Sequence, residues 1–177
     1  MRRAATVIGT LLLAACAATG GADARWADAA AWPSGELRAM QRIQVRGAAG
    51  TRTLQAVVEA SPAGLRVALL DATGRRLLWL GTGAQGFVEQ RDPALPRSVD
   101  GRSILVDIVL AHWPSDGLRA MLPPGLALRE ENGMRTLSRR GRTLMQASCT
   151  GEQWSGRCVI AHGGGDVLTI DSRREAP

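Results

Sequence analysis

Two side chains able to carry out acid–base chemistry, Asp107 and His112, stand close together in a segment with helical apolar spacing. A carboxylate beside an imidazole is a pair that enzymes use for proton transfer. The two residues are five positions apart, which turns them about 140° away from each other around a helix. No nucleophilic side chain lies at the spacing from these two residues that a known catalytic motif requires. We therefore interpret His112 as structural, and we expect Asp107 to satisfy backbone or arginine donors beneath this segment.

A second candidate is the run Gly81-Thr82-Gly83-Ala84-Gln85-Gly86, which has the G-x-G-x-x-G spacing of a phosphate-binding turn. That motif requires a helix directly after its glycines, whereas residues 87–96 alternate and then contain two prolines. We interpret the run as a loose turn. Glu130 and Glu131 are adjacent, so a strand would point them to opposite faces. With no G-x-S-x-G, H-E-x-x-H or P-loop motif present, we expect neither enzyme activity nor a cofactor.

The N-terminal segment carries a different kind of chemistry. Arg2 and Arg3 precede an apolar stretch that is too short to span a bilayer and ends in Leu13-Ala14-Ala15-Cys16. This segment resembles the lipobox of bacterial lipoproteins, which implies that Cys16 is diacylated and begins the mature chain. The alternative is an ordinary secretory peptide with an incidental cysteine. Ala17 follows the cysteine where aspartate would favour the inner membrane, so the resemblance implies anchoring on the periplasmic face of the outer membrane of a Gram-negative bacterium.

The other two cysteines, Cys149 and Cys158, then form a pair in an oxidising compartment. Glycines between them could form a turn joining two antiparallel strands, and a disulfide closing so short a loop stabilises by about 2–3 kcal/mol. Free thiols are one alternative. Metal binding is another, but His112 and His162 are not at ligand spacing and we expect no metal site.

Composition excludes some classes of function. The formal net charge is +6, yet every basic residue is arginine, a bias typical of codon composition rather than of nucleic-acid binding. The cluster at 139–142 is interpreted as a solvated strand edge or turn, with an anionic membrane surface as the functional alternative. A length of 177 residues suits one domain, and we expect a monomer. We expect a signal peptide at 1–15, an alanine- and glycine-rich flexible tether at 16–31 and a folded domain at 32–174.

Most of the predicted domain follows a period of two, which is typical of strands with one buried face. Turn signals at 62–64 and 73–74 separate the first five strands, and signals at 132–133, 140–141 and 163–165 separate the last five. Between them, residues 103–113 have helical spacing, with Asp100 or Ser103 as the cap and Pro114 as the stop. We expect a second short helix capped by Ser115 or Asp116 and extending to residue 121, which gives a helical insert at 101–122. The prediction is an α+β, mainly antiparallel fold: about ten strands in a curved, unclosed half-barrel, with the insert covering its concave face.

This order of elements resembles the LolA/LolB lipoprotein-carrier fold. The segment Ile104 to Pro114, with the strands around Gln41, Val67 and Trp79, is similar to a family of LolB-like bacterial lipoproteins of unknown function, often encoded with aryl polyene and fatty-acid-type biosynthesis enzymes. The resemblance implies an apolar cavity and an acyl, polyene-lipid or lipoprotein cargo. LolB itself carries a protruding apolar loop, whereas the comparable connection at 71–76 is short and polar.

A half-barrel with a helical lid offers an apolar cavity in which each buried methylene contributes about 0.8 kcal/mol. The alternative is that the same residues fill the core beneath the helix. We therefore expect a lipid-binding or lipid-transfer lipoprotein, or otherwise a structural adaptor with a filled core whose partners are envelope proteins. The predicted inward-facing residues of the strands are Ile43, Val45, Leu54, Val58, Leu65, Val67, Leu69, Leu77 and Trp79, and those of the helix are Ile104, Ile108 and Trp113.

Overall fold

The computed structural model of the chain describes residues 25–30, 32, 35–48, 50–97 and 99–175. The predicted signal peptide, Cys16 and most of the predicted tether lie outside the described residues. Neither helix of the described ranges is long and apolar enough to cross a membrane.

Ten strands and two α-helices follow a 3₁₀ helix at Arg25–Ala29. The first five strands are β1 (Leu37–Gly47), β2 (Gly50–Ser61), β3 (Gly64–Leu70), β4 (Arg76–Gly81) and β5 (Val88–Arg91). The helices are α1 (Gly101–His112) and α2 (Ser115–Met121). The last five strands are β6 (Leu126–Glu131), β7 (Met134–Arg139), β8 (Arg142–Glu152), β9 (Ser155–His162) and β10 (Val167–Arg174).

All ten strands form one antiparallel sheet in the order β5-β4-β3-β2-β1-β10-β9-β8-β7-β6. Each half is a simple meander, and the pairing of β1 with β10 joins the halves. Because β5 and β6 stand at the two ends of this order, the sheet is not closed. The predicted fold, an unclosed ten-stranded sheet with a helical insert, is therefore confirmed.

The turn chemistry explains why the last strands pair as they do. Asn132 and Gly133 have φ of 51° and 75°, and Arg140 and Gly141 have φ of 46° and 81°. Two successive positive φ values are the geometry that tight antiparallel hairpins require. The predicted hairpins at both positions are confirmed. The glycine-rich run after β4 leads into strand β5 and not into a helix, as its interpretation as a loose turn requires.

One face of the sheet, here called the inner face, carries the apolar residues and is covered by the helices. In β1 to β3 the inner positions follow the predicted alternation, with Ile43 opposite Leu54 and Val58 opposite Val67. The prediction fails in β4, where Leu69 pairs with Leu78 and Val67 with Leu80. A register irregularity after Leu69 causes this change. Leu78 and Leu80 are thus the buried inner residues. The predicted Trp79 points to the other face, whereas Leu77, at the irregularity, is partly buried and packs against the core.

Helix α1 begins as its sequence predicts. The carboxylate of Asp100 accepts a hydrogen bond from the backbone N–H of Ser103, so Asp100 is the N-cap. For α2 the prediction was wrong: Pro114 occupies the cap position, no side chain caps the helix, and Ser115 is its first residue.

The fold begins earlier than the predicted residue 32. Ala27 and Ala30 are buried in the core, and Asp28 pairs with Arg102 of α1 at 3.2 Å. The 3₁₀ helix packs on α1, so residues 25–30 belong to the domain and the predicted tether is too long at its C-terminal end.

Candidate functional site

Helix α1 lies against the inner face and is buried along most of its length. Nine of its twelve residues are buried. Leu105, Ile108 and Leu110 are each 1 % exposed or less, and they join one core cluster with the inner residues of the strands. An α-helix with so little exposed surface has an apolar contact on nearly every side. The inner face and α1 together are the candidate site.

Three tryptophans pack at the C-terminal end of α1. The ring of Trp113 lies edge-on to Trp32 at 5.1 Å between centroids, and Trp154 lies 5.6 Å from Trp32. The imidazole of His112 stacks on Trp154 at 4.0 Å. All three indole rings are 5 % exposed or less. This cluster closes one end of the interior.

A buried polar chain joins α1 to the middle of the sheet. Nε2 of Gln41 lies 2.9 Å from Nε2 of His112 and donates to the hydroxyl of Ser172 at 3.1 Å. Because the amide nitrogen of Gln41 can only donate, Nε2 of His112 accepts this hydrogen bond. The proton of the neutral imidazole therefore lies on Nδ1. Burial, and secondarily the charge of Arg135, lowers the pKa of His112 to about 3. The imidazole is therefore neutral, as its predicted structural role requires.

Asp107 has a different partner from the one predicted. Its carboxylate is 4 % exposed and lies 3.1 Å from Nε2 of His162 at the end of β9. The contact is within ion-pair distance but is not aligned as a hydrogen bond. Burial raises the pKa of Asp107, and the neighbouring imidazole only partly offsets this rise. Burial lowers the pKa of His162, but the contact with Asp107 and the charge of Asp166 outweigh it and the net shift is upward.

This pair corrects the prediction for Asp107. Asp107 faces a histidine instead of backbone or arginine donors, because β9 passes beneath the middle of α1. His162 is the last residue of β9, and its side chain is only 25 % exposed since it leans inward to Asp107.

The last carbonyls of α1 are held by side chains from the second half of the sheet. Nη1 of Arg135 donates to the carbonyl oxygens of Leu110 and Trp113, each at 2.8 Å. The amide of Gln153 donates to the carbonyl of His112. A helix C-terminus leaves four carbonyls without helical partners, and a cation there is favourable. These contacts fix the end of α1 against β7 and the β8–β9 turn.

The predicted disulfide between Cys149 and Cys158 is present. The two residues are direct cross-strand neighbours in β8 and β9, so the bond reinforces the hairpin that carries Trp154. Among the described ranges no group of three metal-ligating side chains converges.

Two of the clefts on the described part of the molecule combine polar and apolar lining. One, of about 220 Å³, lies at the C-terminal end of α1 and includes Arg135, Glu130 and the disulfide. The other, of about 540 Å³, lies at the end of the sheet where Arg38, Glu59 and Arg66 approach one another. The predicted apolar set lines neither cleft.

Nearly all of the predicted inward residues pack together in or against one core cluster. Seven strand residues lie on the inner face as expected, and the helix residues pack above them. Ile43, Val58, Leu65, Val67, Leu69, Ile108 and Trp113 are buried, Val45, Leu54, Leu77 and Ile104 are partly buried against the core, and Trp79 lies on the opposite face.

Sequence analysis missed Gln41, Arg135, Trp154 and the inner residues Leu78 and Leu80. Gln41 had a detectable signal, as the one polar side chain among the inner positions Leu37, Ala39 and Ile43 of β1. Arg135 and Trp154 had none, since their roles depend on where α1 ends in space.

Comparison with known proteins gives one family and two similar structures. The profile of a family described as a protein of unknown function (DUF3261) matches residues 38–172. A LolA superfamily protein from Nitrosomonas europaea is similar, with 12% identity, a TM-score of 0.46, and coverage of 90% of this chain and 96% of that one. A Vibrio parahaemolyticus domain, named for outer membrane lipoprotein sorting, has 9% identity, a TM-score of 0.45, and coverage of 86% and 89%. No curated protein sequence matches.

Proposed function

The chain belongs to this DUF3261 family of proteins of unknown function, and we propose that it is a lipid-anchored envelope protein that binds an acyl chain on the inner face of its sheet. In this proposal Cys16 carries the anchor on the periplasmic side of the outer membrane. The cargo is a free acyl lipid, a polyene lipid or the acyl chains of a lipoprotein. No chemical step is involved, so the protein acts as a carrier and not as an enzyme.

The observation that supports the proposal is the apolar contact between α1 and an unclosed sheet. The middle of α1 touches the inner face through apolar side chains, with Asp107 as its one acidic group there. Its other polar contacts lie near its two ends, at Arg102, at His112 with Gln41, and at the carbonyls held by Arg135. A helix attached in this way can be displaced as a unit. Each methylene of an incoming acyl chain that leaves water would then contribute about 0.8 kcal/mol, which offsets the apolar contacts of α1 that it replaces.

The packed interior supports a second candidate, an adaptor lipoprotein whose core stays closed. Val67 and Leu105 are 1 % exposed or less, and neither of them lines the two clefts described above. In that case the protein binds envelope proteins through its surface. The two candidates differ in one respect: the carrier releases α1 from the sheet, whereas the adaptor does not.

Mass spectrometry of the purified protein distinguishes the carrier from the adaptor. The chain is expressed from Ala17 onward in the periplasm, which retains every described residue, then purified without detergent and extracted into organic solvent. The carrier predicts an acyl species in stoichiometric amount. Only trace lipid, at the level of an unrelated periplasmic protein purified in parallel, would favour the adaptor.

The anchor has its own test. The full-length variant Cys16→Ala should remain as an unprocessed or soluble precursor, whereas the parent fractionates with the outer membrane. A variant that is still processed and still fractionates with that membrane would contradict the assignment of Cys16.

A further inference from the structure

The face of the sheet opposite the helices, here called the outer face, carries an apolar row at its β1–β4 end. Met40, Val57, Ala68 and Trp79 are successive cross-strand neighbours on this face. All four are partly buried. The indole of Trp79 lies flat over Gly81, where an added Cβ would come within 2.7 Å of the ring. This set is the outer row, and it presents an aromatic ring beside aliphatic side chains.

Arginines surround the outer row. The outward positions of the contiguous strands β3, β2, β1, β10 and β9 carry two acidic residues, Glu59 and Asp171, and a larger number of arginines. Glu175, just beyond the end of β10, also pairs with Arg38 at 2.8 Å, so six arginines against three acids leave an excess of 6 − 3 = 3 positive charges on this surface. The arginines are all exposed: Arg38, Arg42, Arg46, Arg66, Arg157 and Arg173.

We propose that the outer face binds an anionic lipid bilayer, with Trp79 at the level of the headgroups and the arginines on lipid phosphates. Tryptophan favours this interfacial region because one part of its ring system is apolar and its N–H is polar. Arginine stems cover apolar surface while their guanidinium groups reach phosphate. Each basic residue near an anionic leaflet contributes about a fivefold gain in partitioning. A protein partner would need acidic complementarity to the same arginines, and a bilayer supplies it over the whole face.

The position of the N-terminal segment agrees with this orientation. The N–H of Trp32 donates to the carbonyl of Ser61 in the β2–β3 turn, and the hydroxyl of Thr82 donates to the carbonyl of Ala30. Both contacts lie at the end of the sheet where β4 finishes just beyond Trp79. Arg25 stands nine positions after Cys16, a span of about 30 Å at full extension. An anchor at Cys16 therefore keeps this end of the sheet close to the bilayer, and this step alone rests on the proposed function.

Vesicle binding by the unanchored chain from Ala17 onward tests the proposal. The protein is sedimented with vesicles of phosphatidylcholine alone or of phosphatidylcholine mixed with phosphatidylglycerol, at low and high salt. We expect binding only to the mixed vesicles and loss of that binding at high salt. The double variant Arg42→Gln/Arg66→Gln should bind about 25-fold more weakly than the parent. The matched control Arg119→Gln/Arg142→Gln removes the same charge from α2 and the start of β8, and should bind as the parent does.

A second measurement locates the contact. Brominated phosphatidylglycerol should quench part of the tryptophan emission in the parent, and Trp79→Phe should remove that quenched part while leaving the melting temperature within a few degrees. Equal binding to both vesicle types, an equal loss in the control, or quenching that survives in Trp79→Phe would overturn the proposal. Sedimentation of a dimer that Trp79→Ala dissociates would assign the face to a second copy instead. None of these outcomes depends on whether the interior takes an acyl chain.

Discussion

Nε2 of Gln41 lies 2.9 Å from Nε2 of His112, which links the centre of β1 to the last residue of α1. The second contact of the amide, to Ser172, brings β10 into the same chain. The two strands that join the halves of the sheet therefore hold the end of the helix that covers them. Since His112 has a pKa lowered to about 3, this link survives only while the imidazole is neutral.

The first prediction follows from that pKa. As the pH falls from 6.5 towards 3, the unfolded chain binds a proton at His112 that the folded chain does not bind. The free energy of unfolding therefore decreases as the pH decreases. One such group contributes a slope of about 1.4 kcal/mol per pH unit. The variant His112→Gln, which can still accept from Gln41, should lose that part of the slope. Urea unfolding at several pH values between these limits measures it, and an unchanged slope would contradict the buried neutral imidazole.

The second prediction concerns Asp107 and His162. His112 and His162 are the only histidines of the chain, so two-dimensional NMR can follow each imidazole through a pH titration. In Asp107→Asn the contact that raises the pKa of His162 is lost, and the pKa of His162 should fall.

The same pair affects stability. The raised pKa means that the stability contributed by His162 is fully present below pH 6.5 and is lost as pH rises through its folded value. A His162 titration that is identical in Asp107→Asn and the parent would show that the two groups do not interact in solution.

The third prediction concerns Arg135 at the end of α1. The variant Arg135→Met keeps an apolar stem but removes the donors to Leu110 and Trp113. Carbonyls left without partners in a partly buried site should cost about 1–3 kcal/mol, measured by thermal or urea unfolding. Arg129→Met is the control, because Arg129 lies on the neighbouring strand with a side chain 79% exposed, and it should change stability by less than about 0.5 kcal/mol. Equal losses of stability in the two variants would contradict the role of Arg135 in holding the end of α1.

The fourth prediction concerns the disulfide. Non-reducing peptide mapping of periplasmic protein should show one link, between Cys149 and Cys158. The double variant Cys149→Ala/Cys158→Ala should lose about 2–3 kcal/mol of stability, the loop-closure value for a separation of 9 residues. Free thiols at both positions in the parent would contradict the pairing.

The fold was predictable from sequence where local signals determine the structure. Alternation specified the inner positions of β1 to β3, and Asn132-Gly133 and Arg140-Gly141 specified two hairpins. Asp100 specified the start of α1. The prediction failed in β4 because the irregularity beside Leu69 shifts the register, and a single-residue shift moves every following side chain to the other face.

The site was less predictable, because its polar contacts depend on tertiary packing. Asp107 and His162 meet only after the second meander has folded beneath α1, and no spacing in the sequence encodes that contact. Whether the apolar inner residues line a cavity or fill a core is also not encoded, since both arrangements require the same alternation. The structure shows the filled arrangement with α1 in place.

Titration of a fluorescent fatty acid into the chain from Ala17 onward tests the carrier proposal most directly. Val67 is 1 % exposed on the inner face, so Val67→Trp takes up the space that an acyl chain would need. Gln55→Trp, at an exposed outer position of β2, adds the same ring as a control. Overpacking costs typically about 1–3 kcal/mol, so circular dichroism first verifies folding, with Val67→Phe as the milder replacement. The carrier predicts saturable binding to the parent and to Gln55→Trp and its loss in Val67→Trp, whereas no binding to the parent, or equal binding to all three proteins, would contradict it.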